Sequence, residues 1–264
     1  MALLRITDLL LPIKPSPERE TCLWCFHIVD GRTVGHRRVD AIIIPLQAHF
    51  RTIPLIISHR HRFIFFAVPR TGSHAMRQAL GPHLGPEDWE QQNLSEKRRL
   101  PVGDLAQLRH GHIAVNELKP WLSADVWDTY FKFAIVRNPF DRFVSTCFFL
   151  AREQRQLLRD PAAFMKRALD NPNFVRRILL RPQSDLLTDH RGTMPLDFVG
   201  RFEQLQDSCE KIFTAIGVPA PVLKKRNASR HEHWSSYYDD ALMARVRDLY
   251  QTDLETFSYG FDNR

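Results

Sequence analysis

The sequence predicts an α/β fold: a mainly parallel sheet flanked by helices, in a single domain over residues 59–264 with a β-rich N-terminal extension over 1–58. Two short apolar runs carry this reading, Phe63–Val68 and Phe131–Val136, the second broken only by Lys132. Runs of this length mark strands covered on both faces, as in parallel sheets packed between helices. Each run leads directly into a turn and a helix start, the alternation that a parallel sheet needs. A length of 264 residues suits one large domain with a substantial core.

The N-terminal stretch reads differently. Cys22–Leu46 has the pattern of a β-hairpin turning at Asp30-Gly31, either an extra sheet edge or a short accessory lobe. Cys22 and Cys25 have CxxC spacing, with His27 and His36 nearby. A closed zinc site needs four ligands and no second CxxC follows, so these cysteines read as small core residues and no metal is expected. Four cysteines in all are too few for a secreted disulfide scaffold. The first 15 residues place Arg5 and Asp8 inside their apolar stretch, unlike a secretory signal. The run Ala41–Ser58 is broken by Pro45, His49, Arg51 and Pro54, so no membrane span is expected. With neither signal nor anchor, a cytoplasmic protein is expected.

In the first strand–helix unit, Pro69 cannot donate to a ladder and ends the strand. Arg70, Thr71, Gly72 and Ser73 form the turn. Met76, Ala79 and Leu80 follow at helical spacing, and Gly81-Pro82 is expected to stop the helix. A strand feeding a helix start through small residues gathers backbone N–H groups and the positive end of the helix dipole at one spot. Arg70 adds a cation there; Thr71 and Ser73 add hydroxyls. Alone, such a joint often binds nothing. The second unit repeats it: Arg137 stands at the strand end, Asn138 suits an N-cap, Pro139 the first helical position, and Ser145 lies two turns into the helix. Two strand-end arginines in matching units point to a shared anion.

Between the units, residues 82–110 are polar and charged, and Arg109-His110-Gly111-His112 precedes a helical pattern of Val115, Leu118 and Trp121. Residues 151–178 read as an amphipathic helix, Arg201 and Glu203 as a structural ion pair, and Arg226 to Arg230 as a basic polar loop. The net charge of +7 favours an anionic partner, a phosphorylated nucleotide or a nucleic acid. No module interleaves aromatic and basic residues on one surface, so nucleic acid is not the expected partner. A kinase lacks its GxxxxGK[ST] loop here and a metal-binding acid at a strand end.

Two of these segments resemble the paired nucleotide motifs of the sulfotransferases, in the Golgi-type and bacterial family 2 branch. VRNPFDRFVS (Val136–Ser145) resembles the 3′-phosphate motif xxVRNPxxRxxS, and VPRTGSHA (Val68–Ala75) resembles the 5′-phosphosulfate loop xxPKTGGTS. The loop departs from its pattern by Arg70 for lysine and His74 for a small hydroxyl residue. DFVGRFEQL (Asp197–Leu205), KRNAS (Lys225–Ser229) and YQTDLETFSYGF (Tyr250–Phe261) resemble later blocks, so the resemblance covers about 60–264.

The resemblance implies a P-loop-like sheet and 3′-phosphoadenosine 5′-phosphosulfate (PAPS) as co-substrate, without metal. It implies a sulfuryl transfer to an acceptor hydroxyl of a small molecule or carbohydrate. The backbone of Thr71, Gly72, Ser73 and His74 then cradles the 5′ end, Arg70 neutralises charge on the leaving oxygen, and Arg137 and Ser145 hold the 3′-phosphate. Arg226 and Ser229 close over the nucleotide. The HGH sequence resembles that of the heparan-type uronosyl 2-O-sulfotransferases, which implies His112 as general base beside His110, titrating near neutrality, with Glu117 in reserve. A non-catalytic nucleotide-binding scaffold of the same fold, and a divergent nucleotide-dependent kinase, stay open as alternatives.

Overall fold

The computed structural model describes residues 55–90, 101–106, 110–152, 159–223 and 232–262. The N-terminal hairpin and the CxxC pair lie outside these residues. Five strands form one sheet among the described residues: β1 Ile56–Ser58, β2 Phe63–Phe66, β3 Trp89–Glu90, β4 Phe131–Val136 and β5 Phe198–Arg201. Their order is β3-β1-β2-β4-β5. Strands β2, β4 and β5 are parallel, and β1 runs antiparallel to both β2 and β3. The two apolar runs are therefore sheet neighbours, with Phe65 opposite Phe133.

The reversal of β1 follows from chain length. Only His59–Arg62 separate it from β2, which allows a hairpin but no crossover. Asp88 clamps that turn by accepting from Ser58 Oγ at 2.7 Å, His59 N at 2.7 Å, Arg60 N at 3.1 Å and Gly85 N at 2.8 Å. Strand β1 is hydrogen-bonded into the sheet between β3 and β2.

The helices are α1 Ser73–Leu80, α2 Gly103–Ala106, α3 Val115–Leu118, α4 Ala124–Thr129, α5 Pro139–Ala151, α6 Pro161–Leu169, α7 Pro172–Val175, α8 Gln183–Leu187, α9 Leu205–Ala215, α10 Asp240–Leu249 and α11 Gln251–Thr256. Alternate strand residues face opposite layers. Phe63, Phe65, Phe133 and Ile135 pack with Met76 and Leu80 of α1 and Ile212 and Phe213 of α9. Ile64, Phe66, Ala134 and Val136 pack with Val115 and Leu118 of α3, Val126 of α4 and Leu186 of α8. This two-sided covering is why the runs are continuously apolar, and each buried Phe contributes roughly 1.5–3 kcal/mol of transfer free energy. A third cluster joins Phe140, Phe143 and Cys147 of α5 to Phe164 of α6 and Leu242 and Val246 of α10.

Helix α1 ends at Leu80, where Gly81-Pro82 is expected to stop it; Gly81 is its C-cap, right-handed at φ −50°, and Gly81–His83 tighten into a 3₁₀ turn. One helical expectation changes. Residues 151–178 are not one helix, because two Asx-Pro pairs restart the chain. Asp160 caps α6 by accepting from Ala163 N, and Asn171 caps α7 by accepting from Asn173 N and Phe174 N. No helix of the described residues is long and apolar enough to cross a membrane.

Candidate active site

The loop between β2 and α1 is built to stay open. Arg70 and Gly72 both adopt positive φ, 66° and 80°. A Cβ on Gly72 would stand 2.8 Å from Leu205 Cδ2 and 3.1 Å from Phe202 Cδ2, so any other residue would be strained at this φ and would have to displace those side chains. Thr71 Oγ1 and Ser73 Oγ donate to Val68 O at 3.0 and 2.6 Å. The two hydroxyls thus brace the turn from inside instead of facing an anion. Helix α1 has no side-chain cap and no acid in its first turn. The positive end of its dipole is therefore not offset by an acid of its own, which suits an anion. Helix α5 is the opposite case, since Asn138 Oδ1 accepts from Phe140 N and Asp141 lies in its first turn. Of the two helix starts, α1 is the one fitted to take a phosphate or sulfate group.

Gly72→Ala is expected to destabilise the fold by on the order of 1–3 kcal/mol. A thermal denaturation midpoint equal to that of the wild type would show that the turn is not under this constraint.

The second strand–helix unit lays two residues against the loop, Arg137 from the end of β4 and Ser145 from α5. Ser145, 1% exposed, accepts from Arg70 Nη2 at 2.8 Å and Nε at 3.2 Å. Arg137 donates from Nη1 to Arg70 O at 3.1 Å, and from Nε and Nη2 to Asp141 at 2.8 and 2.7 Å. The Arg137 guanidinium lies over the Phe202 ring at 4.1 Å, and Arg70 over Phe149 at 4.5 Å. The two strand–helix units therefore meet at Arg70. Ser145 reaches the arginine of the first unit rather than Arg137. Burial, then the positive charges of Arg137 and Arg152, push Arg70 down to about 10, with Asp141 opposing. The guanidiniums of Arg70, Arg137 and Arg152 outnumber the one carboxylate, Asp141, that offsets them here, which makes the surroundings net positive.

His112 is buried at the end of β2. Its Nδ1 donates to Ala67 O at 2.6 Å, which makes Nε2 the basic nitrogen of the neutral ring. Burial pushes it down to about 4; the Ala67 bond opposes this, and His110 and Arg142 add to the depression. His110 lies 6.4 Å away, ring centre to ring centre, and its Nδ1 is buried without a hydrogen-bond partner. Burial lowers its pKa too. Glu117 is a helix cap: its Oε2 accepts from Ala114 N at 2.8 Å and its Oε1 stands 3.8 Å from Arg181.

A depressed His112 carries a stability consequence. Between its ordinary value of 6.5 and about 4, the unfolded chain binds the extra proton. The contribution is complete above 6.5 and is lost as pH falls toward 4. The thermal midpoint is expected to drop over that window, and to drop less in His112→Gln. An identical pH dependence in both proteins would contradict it.

Other supports had no local signal. Gln183 clamps the Arg137 peptide from both sides, accepting from Arg137 N at 2.9 Å and donating to Arg137 O at 2.8 Å. Asp253 caps Gln183 N and Ser184 N, each at 2.8 Å. Arg201 and Glu203 do not pair as expected: Glu203 accepts from Asn138 N and Tyr259 OH, while Arg201 donates to Phe257 O and covers the Tyr259 ring. Each thereby ties the C-terminal segment to the site. Phe202, beneath both Gly72 and Arg137, and Arg152 also escaped the sequence reading. Arg226 and Ser229 lie outside the described residues, and His74 is the second residue of α1.

Parallel strands carry a cationic loop, a helix start without a side-chain cap and a buried histidine at their ends, an arrangement of the α/β class. A family model described as the sulfotransferase family matches residues 54–260, so the chain belongs to the sulfotransferase family, in its family 2 branch, and is a transferase. No curated protein and no solved structure matches the chain.

Proposed function

We propose that the chain moves a sulfuryl group from PAPS to an acceptor hydroxyl, with a carbohydrate as the acceptor class. The observation that carries this reading is the meeting of the two anion-binding units at Arg70, through Ser145 Oγ on its side chain and Arg137 Nη1 on its carbonyl. Two linked cationic subsites suit a nucleotide phosphorylated at two positions better than a simple monophosphate. The uncapped start of α1, with its glycine-restricted turn, fits the 5′ end, and Arg137 with Ser145 fits the 3′-phosphate.

When bound, the donor supplies the sulfuryl group and a phosphate leaving group. The leading N–H groups of α1, from Gly72, Ser73 and His74, bind and orient anionic oxygens. Arg70 stays charged, since a guanidinium near 10 is protonated at neutral pH, and it neutralises charge on the leaving oxygen. His112 Nε2 takes the acceptor hydroxyl proton, with Nδ1 fixed by Ala67 O. His110 borders this face, and Arg226 and Ser229 complete the nucleotide site.

The test is twofold. Titration with adenosine 3′,5′-bisphosphate should show tighter binding than adenosine 5′-phosphate. Single-turnover incubation with labelled PAPS and a panel of hydroxyl acceptors should transfer the label. Bisphosphate binding without transfer to any acceptor would assign the scaffold role, and a preference for a nucleoside triphosphate with metal would assign a kinase.

A further inference from the structure

We infer that Asp141 is a positioning residue that fixes Arg137 in the orientation serving the 3′-phosphate subsite; this rests on the function proposed above. A carboxylate on the arginine meant to hold a phosphate is at first sight a competitor. The geometry says otherwise. Asp141 takes the Nε–Nη2 edge of Arg137 side-on, at 2.8 and 2.7 Å. That edge-on grip turns Nη1 to Arg70 O at 3.1 Å, while Phe202 at 4.1 Å fixes the plane. A guanidinium has five N–H groups, so two remain for a ligand.

Both side chains of the pair are about nine-tenths shielded, at 11% and 13% exposure, so water screens it little. The opposing charges are close: Arg137 and Arg152 both bear on Arg70, and Asp141 is the anion that offsets them. Without Asp141, Arg137 is repelled from Arg70 and loses the contact that steadies the left-handed turn. A side-on carboxylate confers direction as well as charge, which an amide does not reproduce.

A purely structural role is also available to Asp141, since an acid in the first turn of α5 favours its dipole. A merely competing carboxylate is a third possibility. Calorimetric titration of the whole chain with adenosine 3′,5′-bisphosphate and with adenosine 5′-phosphate separates the three. Asp141→Asn is expected to weaken the bisphosphate about 10- to 100-fold and the monophosphate by less than about 3-fold. In an Arg137→Ala background the same change should weaken the bisphosphate no further, and should recover the part of the loss that the unpaired carboxylate causes, because the two act as one unit. Asp141→Glu, which keeps the charge but displaces the carboxylate, should also lose discrimination and serves if the amide variant does not fold. Tighter bisphosphate binding by Asp141→Asn would make it a competitor, and equal loss for both ligands would make it a structural acid; either overturns the inference. If the wild type itself fails to prefer the bisphosphate, the proposed function fails first, and the inference with it.

Discussion

Arg137→Ala is expected to weaken binding of adenosine 3′,5′-bisphosphate by on the order of 2–4 kcal/mol. Part of that is the loss of a charge-assisted contact to the 3′-phosphate. Another part is the Asp141 carboxylate, which loses its two bonds from Arg137 and stands unpaired where an anion must bind. Adenosine 5′-phosphate should lose less, and not nothing, because Arg137 also holds Arg70 O. Isothermal titration with the two nucleotides gives the comparison directly. Equal losses would show that Arg137 supports the loop without reading the 3′-phosphate. Arg137→Lys keeps the charge but not the fork, and should fall between wild type and alanine.

His112→Ala is expected to lower turnover by roughly 10²–10⁴ while leaving donor affinity nearly intact, because a base acts on the acceptor. The pH dependence is the sharper test. A general base works only when neutral, so the rate falls as pH drops through its pKa. The sequence alone suggests a limb near neutrality. The buried ring, pushed down to about 4, moves the acidic limb of kcat/KM to about pH 4. The limb should vanish in His112→Ala. His110→Ala should reduce turnover less and leave the limb in place. A His112 variant with wild-type turnover would move the search for the base to His110, since Glu117 is committed to capping Ala114 and facing Arg181.

The parts legible in the sequence share one property: their physics is local. Short apolar runs bounded by turn residues read as strands covered on both sides, and both run where expected, side by side. Asn138-Pro139 opens α5 as its residue types favour, and Gly72 occupies a left-handed position that favours glycine. The Asx-Pro pairs at 160–161 and 171–172 were equally local, and the amphipathic pattern around them obscured the breaks.

Residue order alone carries the strand–turn–helix units, their cationic ends and the family to which they belong. Which polar group answers which depends on how the layers pack. Ser145 bonds to Arg70 across 75 residues, Gln183 clamps Arg137 across 46, and His112 meets Ala67 across 45. Glu203 turns to Asn138 and Tyr259 instead of to Arg201. The physical reason is that a hydrogen bond is short-ranged and directional, so its partner is fixed by where packing brings two chain segments together. The depression of His112 has the same origin, since burial is a property of the assembled layers and of no single residue.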